Sequence, residues 1–272
     1  MEKLVETSRG TVNIKVTGNL DDDKRVIVLV PGVLGSTEYY ESITPLLSDK
    51  YIVVTADLLG QGKSSQSNDK EYDIDMEAWA ILEALAMVPI TSQLVLFGYG
   101  ISGLVVANMA ELRGISVDKI ILMNTPANAK HAEISSSRRV SLFSKGVKSH
   151  SYFAKNFDES KLTNPKLIEE AASQTDRRDV KKLDKMGVDY LEKKALNRRL
   201  REIYLPTLAI FSDEDQILGE EGVADSKASI GRVPKLKIVD IKGVGHAAFL
   251  EKPEEIADII KKFDEETKDD NK

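Results

Sequence analysis

VLFGYGISG, residues 95–103, is an apolar run that breaks into three glycines, Gly98, Gly100 and Gly103. Such a run followed at once by glycines is typical of a buried strand that turns sharply into a helix. The spacing fits two motifs with different chemistry. Read as G-x-G-x-x-G, it is a fingerprint for a dinucleotide pyrophosphate. Read as G-x-S-x-G, it is a strand-to-helix turn that carries a serine nucleophile, with Gly100 in the place of the serine.

The rest of the sequence disfavours the dinucleotide motif. That motif closes the first strand of its unit, and an acidic residue about 20 positions further on, at the end of the next strand, holds a ribose hydroxyl. Here the glycines follow a strand in the middle of the chain, and the next strand ends in Asn124. Asp118 precedes that strand, which is the wrong end of the sheet. We therefore expect no cofactor.

Apolar runs of strand length recur along the chain, and helical patterns lie between several of them. This alternation predicts an α/β fold with a mostly parallel central sheet flanked by helices. An alternating opening predicts an antiparallel hairpin at the sheet edge, with Val12, Ile14 and Val16 on one face. The further predicted strands are Val26–Val30, Tyr51–Thr55, Leu94–Phe97, Lys119–Met123, Thr207–Phe211 and Leu236–Ile241. Helical spacing is found in Tyr39, Tyr40, Ile43 and Leu47, and behind Pro253 in Ile256, Ile259, Ile260 and Phe263.

The longest interruption of this alternation lies between Asn124 and Leu205. It contains helical patterns such as PKLIEEAASQT and VKKLDKMGVDYLEKKALNRRL and no convincing strand. Because long loops without structure are uncommon in compact domains, we predict a helical cap, inserted after the sixth strand, over the carboxyl edge of the sheet. The predicted organisation is a core at 1–127 and 201–265, a cap at 128–200 and a polar tail at 266–272.

The composition is that of an ordinary globular protein, with 272 residues, 42% hydrophobic and 30% charged, and a formal net charge of −6. Acids and bases are interspersed, so nucleic acid and anionic membrane surfaces are not expected partners. The opening MEKLVETSRG lacks the apolar stretch of a secretory signal, and the longest apolar run, AWAILEALAMVPI, is too short to span a bilayer. We therefore expect a cytoplasmic protein without a membrane span. The lack of cysteine excludes thiolate metal ligands and cysteine nucleophiles.

Further stretches supply what the serine-type motif demands. VIVLVPGVLGS (26–36) places a glycine-rich loop after a strand, and LPTLAIFSDEDQIL (205–218) places acids after another. IVDIKGVGHAAFLEKP (238–253) places a histidine between the last strand and the last helix, and DLLGQGKS (57–64) has the form D-x-x-G-x-G-x-S. From about residue 10 to residue 265 the chain therefore resembles the α/β-hydrolase family, specifically its branch with a helical cap between the sixth and seventh strands of the sheet.

The resemblance implies a site at named positions. FGYGISGL aligns with the family's G-x-S-x-G-G and puts Gly100 at the nucleophile. In an active relative His246 would take the nucleophile's proton, and Asp215 would orient the imidazole and stabilise its charged form. The backbone N–H groups of Val33 and Ile101 would form the oxyanion hole. No metal takes part in this chemistry.

Several positions depart from the family. Pro31 stands where a histidine usually precedes the oxyanion-loop glycine, and Leu59 and Gln61 replace polar residues of the following turn. Gly100 itself has two interpretations, a turn residue in a protein that never used the site or a lost nucleophile, because glycine tolerates the positive φ of this turn better than serine does. These departures predict inefficient hydrolysis.

Alternative site residues lie close by in the sequence. Ser102 is a candidate replacement nucleophile, but two residues into the helix its hydroxyl should point away from His246 and help to cap the helix. Asp213 and Glu214 are neighbours that could be mistaken for the acid. The family's register favours Asp215.

The remaining chemistry-bearing residues are interpreted as structural. His131 and His150 lie in the predicted cap without carboxylate partners at ligand spacing, so we take them as surface residues and not as metal ligands. Trp79 is expected in the core, and Asp57 is expected to hold a tight turn by hydrogen bonds. The basic run from Arg177 to Arg201 is expected to be a solvated helix face, with lipid or anion binding as the alternative.

Three functions remain open at this point. The first is a hydrolase-like protein for small esters or related carbonyl substrates, esterase-like in its site but inactive or very weak because Gly100 replaces the nucleophile. The second is a non-catalytic protein that binds or senses a small apolar ligand under the cap. The third is general-base chemistry by His246 and Asp215 without a covalent intermediate. In each case the partner is a small apolar or ester-type molecule.

Overall fold

The computed structural model describes residues 1–33, 35–69, 72–90, 92–112, 114–132, 158–162, 165–166 and 185–268. Its centre is an eight-stranded sheet in the order β1-β2-β4-β3-β5-β6-β7-β8. β2 pairs antiparallel with β1 and with β4, and every other neighbouring pair is parallel. The strands are β1 (Glu2–Glu6), β2 (Thr11–Thr17), β3 (Arg25–Val30), β4 (Tyr51–Ala56), β5 (Leu94–Tyr99), β6 (Val117–Met123), β7 (Thr207–Ser212) and β8 (Leu236–Ile241). The predicted mostly parallel sheet with an opening hairpin is confirmed.

Helices alternate with the parallel strands. In the described residues they are α1 (Thr44–Leu47), α2 (Ile74–Ala86), α3 (Ser102–Leu112), α4 (Met186–Lys193), α5 (Leu196–Ile203), α6 (Gly219–Ile230), α7 (Ala248–Glu251) and α8 (Pro253–Glu266), with 3₁₀ turns at Thr37–Tyr40, Ala129–His131 and Glu159–Lys161. The helical pattern between Tyr39 and Leu47 is split between a 3₁₀ turn and α1. Pro45 lies in the first turn of α1 and fits the break, because proline lacks the N–H that a continuous helix would need at this position.

The core lies on both faces of the central strands. Every residue of β4, β5 and β7 is buried, which is why these strands read as continuous apolar runs. Trp79 on α2 is 38% exposed, so its predicted place in the core is wrong. Helix α2 is apolar on nearly all sides, and Trp79 falls on the same outward stripe as Met87, eight residues further on. The pattern could not distinguish that stripe from the buried one.

A buried charge cluster joins α8 to the sheet at the amino ends of its strands. Lys119 on β6 is fully buried, and its ammonium donates to Asp264 Oδ1 at 2.7 Å and to Asp264 O at 2.9 Å. Arg25 on β3 pairs with Asp264 and, at 2.9 Å, with Asp118. Buried charges of this kind are tolerated only when paired and hydrogen-bonded, so α8 is held to the sheet by its last turn.

The predicted cap is described only in part. Helix α4 and most of α5 belong to it, as do the turns at 129–132 and 158–162. His150, most of PKLIEEAASQT and residues 177–184 of the basic run lie outside the described residues, so the boundaries 128 and 200 stay a prediction. In the described part of the chain, no helix is both long enough and apolar enough to cross a membrane.

Candidate active site

The turn that carries Gly100 joins β5 to α3. Gly100 has φ +57°, and its N–H donates to Met123 O on β6 at 2.9 Å. A Cβ at Gly98 would collide with the backbone of Ser102, and one at Gly103 would collide with Thr125. Positive φ and close backbone approach therefore account for all three glycines of the motif without a bound nucleotide.

The structure brings Asp215 and His246 together at this turn. Asp215 follows β7, His246 follows β8, and Asp215 Oδ2 lies 2.8 Å from His246 Nδ1. Both are buried, at 5% and 4% exposure. Asp215 Oδ1 accepts from the N–H groups of Ile217 and Leu218, at 2.8 and 3.0 Å. Because a carboxylate without a proton can only accept, this contact favours a proton on Nδ1, and in the neutral imidazole Nε2 is then an acceptor.

The neighbouring acids have other partners. Asp213 Oδ1 accepts from the N–H of Gly243 at 2.7 Å, and Glu214 forms an ion pair with Lys161. In the described residues, Asp215 is the member of this trio that contacts His246.

His246 Nε2 points at Gly100. It lies 2.8 Å from the position that a Cβ on Gly100 would occupy, which is closer than side chains tolerate. The imidazole therefore fills part of the space in which a nucleophile's side chain would begin.

Ser102 does not take the place of that nucleophile. It is fully buried, and its Oγ lies 2.7 Å from Val30 O and 2.9 Å from Tyr99 O while accepting from the N–H of Tyr99. The hydroxyl thus joins the ends of β3 and β5, and it does not cap α3 as predicted from the sequence.

The loop after β3 packs on Tyr99. A Cβ on Gly32 or on Gly35 would lie 3.0 Å from the Tyr99 side chain, so glycine permits this close approach. Val33 and Ile101 are both buried, and neither N–H donates to a backbone acceptor among the described residues. That these two N–H groups form an oxyanion hole stays a prediction.

Sequence reasoning missed Asn124, which holds the histidine loop. Asn124 is buried at the end of β6 with φ +47°, and its Nδ2 donates to His246 O at 2.7 Å and to Ser212 Oγ at 2.8 Å. Its Oδ1 accepts from the N–H of Ser212 at 2.8 Å. Asparagine directly after a buried strand was the available signal, because it is one of the few non-glycine residues that tolerate left-handed φ.

Two buried carboxyls lie near the turn after β4. Asp57 accepts from the N–H groups of Thr37 and Lys63 and from Asn13, at 2.6, 3.0 and 2.9 Å, as its predicted structural role requires. Burial raises the pKa of Asp57 to about 6. Glu77 on α2 is fully buried and accepts from the N–H of Leu59 at 3.0 Å, and burial raises the pKa of Glu77 to about 8.

His131 is not a lone surface residue, and that prediction is wrong. Its Nε2 lies 2.9 Å from Asp225 Oδ2, and Glu221 stands nearby, so that one ligand atom from each of the three residues lies within 4.8 Å of the others. Both acids come from α6, about ninety positions later in the chain, where local spacing could not reveal them. Lys130 already pairs with Glu221, so an ion pair and a hydrogen bond join the start of the predicted cap to α6.

Comparison with known proteins agrees with this fold. A family model described as the alpha/beta hydrolase fold matches residues 25–146. Lipase 1 of Psychrobacter immobilis is 24% identical over 252 residues, which cover 87% of this chain and 76% of that protein. The uncharacterized hydrolase YugF of Bacillus subtilis (strain 168) is 23% identical over 261 residues, covering 93% and 94%. Among solved structures, a serine-to-glycine mutant of an N-acyl homoserine lactonase, complexed with N-hexanoyl homoserine lactone, superposes with a TM-score of 0.76 at 21% identity, covering 97% of each chain.

Proposed function

This chain has the α/β-hydrolase fold, and from that premise we propose that it binds a small ester-type or related carbonyl molecule beside the contact of Gly100 with His246 without forming a covalent acyl intermediate. The observation that carries the proposal is the intact Asp215–His246 pair whose Nε2 faces a glycine. The pair supplies a base and an orienting acid, and the position in front of the base supplies no hydroxyl.

Two main-chain donors support the binding half of the proposal. The N–H groups of Val33 and Ile101 can donate to a carbonyl oxygen, and because they belong to the backbone they are fixed before the ligand arrives. The bound carbonyl carbon then faces Gly100 and the imidazole. The mutant lactonase with glycine for serine was solved with its lactone bound, so a serine-to-glycine exchange is compatible with a ligand in that protein.

The predicted cap supplies the roof of this site in our proposal. Its described helix α4 packs against the residue that follows Gly100, because a Cβ on Gly187 would be 2.7 Å from Ile101 Cδ1. The side chain at this contact, that of Ile101, is apolar, which favours a ligand with an apolar body and one carbonyl group.

General-base hydrolysis is the second candidate, and the tautomer of His246 favours it. With its Nδ1 proton held by Asp215, Nε2 can take a proton from a water molecule as that water's oxygen bonds to the ester carbon. The bond from carbon to the alcohol oxygen then breaks, and the imidazolium returns the proton to the departing alkoxide. Loss of the nucleophile from a triad lowers kcat on the order of 10⁶-fold, so turnover by this route is expected to be very slow.

Two measurements on the full chain test the proposal. Short esters and lactones, N-hexanoyl homoserine lactone among them, should raise the melting temperature of the wild type and not that of His246→Trp, whose larger ring fills the site; His131→Trp is the matched control. Rapid mixing with p-nitrophenyl acetate should release no burst of nitrophenolate, and a fluorophosphonate should leave Ser102 unlabelled. A stoichiometric burst or a labelled serine would establish covalent catalysis and overturn the proposal. No thermal shift with any ester would remove its binding half.

His246→Ala separates the two candidates. If general-base chemistry operates, this variant loses the slow steady-state turnover while His131→Ala keeps it. If the protein only binds, neither variant changes the background rate.

A further inference from the structure

A lysine of the predicted cap contacts both loops that carry the Asp215–His246 pair. Lys161 ends the 3₁₀ turn Glu159–Lys161, and its Nζ donates to Gly243 O at 2.9 Å and pairs with Glu214 Oε2 at 3.3 Å. Glu214 is the direct neighbour of Asp215, and Gly243 lies three positions before His246. One side chain therefore bridges the acid loop and the base loop from outside the site.

Glu251, the last residue of α7, links the same lysine to the loop that carries His246. Its side chain is completely buried, and its Oε1 accepts from the N–H of Gly245 at 2.9 Å and from the N–H of Asp158 at 3.1 Å. Its Oε2 has no hydrogen-bond donor among the described residues and faces Lys161 Nζ at 3.6 Å. Burying a carboxylate without a nearby cation costs folding free energy, so Lys161 compensates the charge of Glu251. The same carboxylate holds Gly245, the residue before His246.

The carboxylates around Lys161 outnumber the one ammonium that they share. Asp158 Oδ2 lies 3.6 Å from Nζ, which places three carboxylates, those of Asp158, Glu214 and Glu251, around one ammonium. Without that ammonium, the three like charges repel one another, and the segments that carry them separate. We call Lys161 with these three acids and Gly243 O the Lys161 clamp.

We propose that Lys161 is a positioning residue for the Asp215–His246 pair. The Lys161 clamp keeps the loops after β7 and β8 at the separation that gives the 2.8 Å contact between Asp215 and His246, and it does so from a segment of the predicted cap. The role deepens the proposed function and rests on it, because it concerns the base of that same site. When the segment 158–162 leaves the Lys161 clamp, the contact between Asp215 and His246 is held less firmly.

The test uses the ligand-free full chain and reads the pair directly. In protein labelled with ¹⁵N-histidine, the proton on His246 Nδ1 that bonds to Asp215 gives an NMR signal whose exchange with water reports how firmly the pair is closed. Lys161→Met should accelerate this exchange by about tenfold, the effect of losing one charge-assisted hydrogen bond. Lys161→Arg keeps the cation and should restore exchange close to the wild-type rate.

Lys252→Met is the matched control. Lys252 is 40% exposed against 35% for Lys161, and it also donates to a carbonyl of the loop after β8, that of Lys242 at 2.8 Å. In the described residues its hydrogen bond and its ion pair go to Lys242 O and Glu255, outside the predicted cap, so its replacement should leave the Nδ1 proton unchanged. Unchanged exchange in Lys161→Met, or equal acceleration in Lys252→Met, would overturn the proposal. Neither result depends on ligand binding, so a failure here is distinct from a failure of the proposed function.

Discussion

His246 rests against Gly100, with the imidazole Nε2 2.8 Å from the point where a Cβ on that glycine would stand. The ring is held in this place from three sides. Asp215 binds Nδ1, Asn124 donates to the backbone carbonyl of His246, and the ring of Tyr99 meets the imidazole edge to face at 5.9 Å. A side chain at position 100 must therefore displace a ring that is well anchored.

Gly100→Ala should destabilise the fold more than Gly243→Ala. Both glycines have positive φ, +57° and +67°, so alanine is strained at either position by about 1 kcal/mol. At Gly243 an added Cβ meets nothing within 4 Å, whereas at Gly100 it meets the imidazole. Overpacking should add on the order of 1 kcal/mol at Gly100. Urea unfolding of the two variants measures the difference, and equal losses would mean that the ring turns aside freely.

Gly100→Ser should lower the melting temperature and produce an esterase burst. The serine is subject to the same backbone strain, and it forces the imidazole to retreat by several tenths of an ångström, to hydrogen-bond distance from its oxygen. A hydroxyl would then stand before Nε2, next to the carbon of an ester whose carbonyl oxygen accepts from the N–H groups of Val33 and Ile101. Rapid mixing with p-nitrophenyl acetate should release about one equivalent of nitrophenolate, as acyl-enzyme formation requires.

The double variant Gly100→Ser, His246→Ala is the control for this burst and should show none. A loss of stability without a burst would show that Pro31 and the other departures have already dismantled the oxyanion site. The non-catalytic binding protein would then be the better interpretation.

Glu77→Gln should make the protein more stable at alkaline pH. Burial raises the pKa of Glu77 from 4.5 to about 8, so the folded state holds a proton that the unfolded state has released. The free energy of unfolding therefore falls as pH rises from about 4.5 to about 8, by up to about 5 kcal/mol for such a shift. Glutamine cannot ionise, so the variant loses this decline and exceeds the wild type at pH 9.

Denaturant unfolding at pH 5 and pH 9 measures this effect. Glu83→Gln on the same helix is the matched control, because Glu83 is partly exposed and bonds to Ser8, and it should keep the wild-type slope. Burial raises the pKa of Asp57 to about 6, so Asp57 also lowers the free energy of unfolding as pH rises. Some pH dependence of that free energy therefore remains in both variants. Identical slopes for Glu77→Gln and the wild type would contradict the prediction.

Asn124→Ala should cost on the order of 3 kcal/mol of stability and loosen the base. It removes three hydrogen bonds, leaves the N–H of Ser212 unsatisfied in a buried place and puts alanine at positive φ. Asn128→Ala, which removes one long bond of 3.4 Å to Asp225 O, is the control and should cost far less. Comparable losses from thermal unfolding of the two variants would rule out a special role for Asn124.

The parts of the fold that follow from local pattern were predictable. Buried parallel strands are largely apolar, so β3 to β7 stood out as runs, and the hairpin stood out by its alternation. The partly buried β8 was predicted from its remaining apolar residues although it carries Lys237 and Asp240. The positions of Asp215 and His246 followed from the resemblance, because the acid and the base of that family come after particular strands. The bond between them at 2.8 Å could be anticipated only through that register.

Two kinds of feature were not predictable from the sequence: contacts between distant segments, and charged residues that are buried while apolar neighbours are exposed. Glu77 is buried while Trp79, two positions on, is exposed, and hydropathy favours the opposite arrangement. The N–H of Leu59 makes the burial of that carboxyl tolerable, and no local pattern announces such a donor. The roles of Asp225 and Lys161 likewise depend on contacts with residues more than fifty positions away in the chain.

The ammonium of Lys119 also imposes an order on biosynthesis. Lys119 leaves the ribosome 145 residues ahead of Asp264, which provides both oxygens to which it donates. At about 5–20 residues per second, translation takes roughly 7 to 30 seconds to cover that distance. During this interval the ammonium of Lys119 lacks both of those acceptors and has only the longer contact with Asp118 at 3.7 Å, so closing the sheet around β6 is disfavoured until α8 has been made. A ribosome stalled upstream of residue 264 should therefore hold an open intermediate with exposed apolar strands, which is the kind of species that molecular chaperones bind.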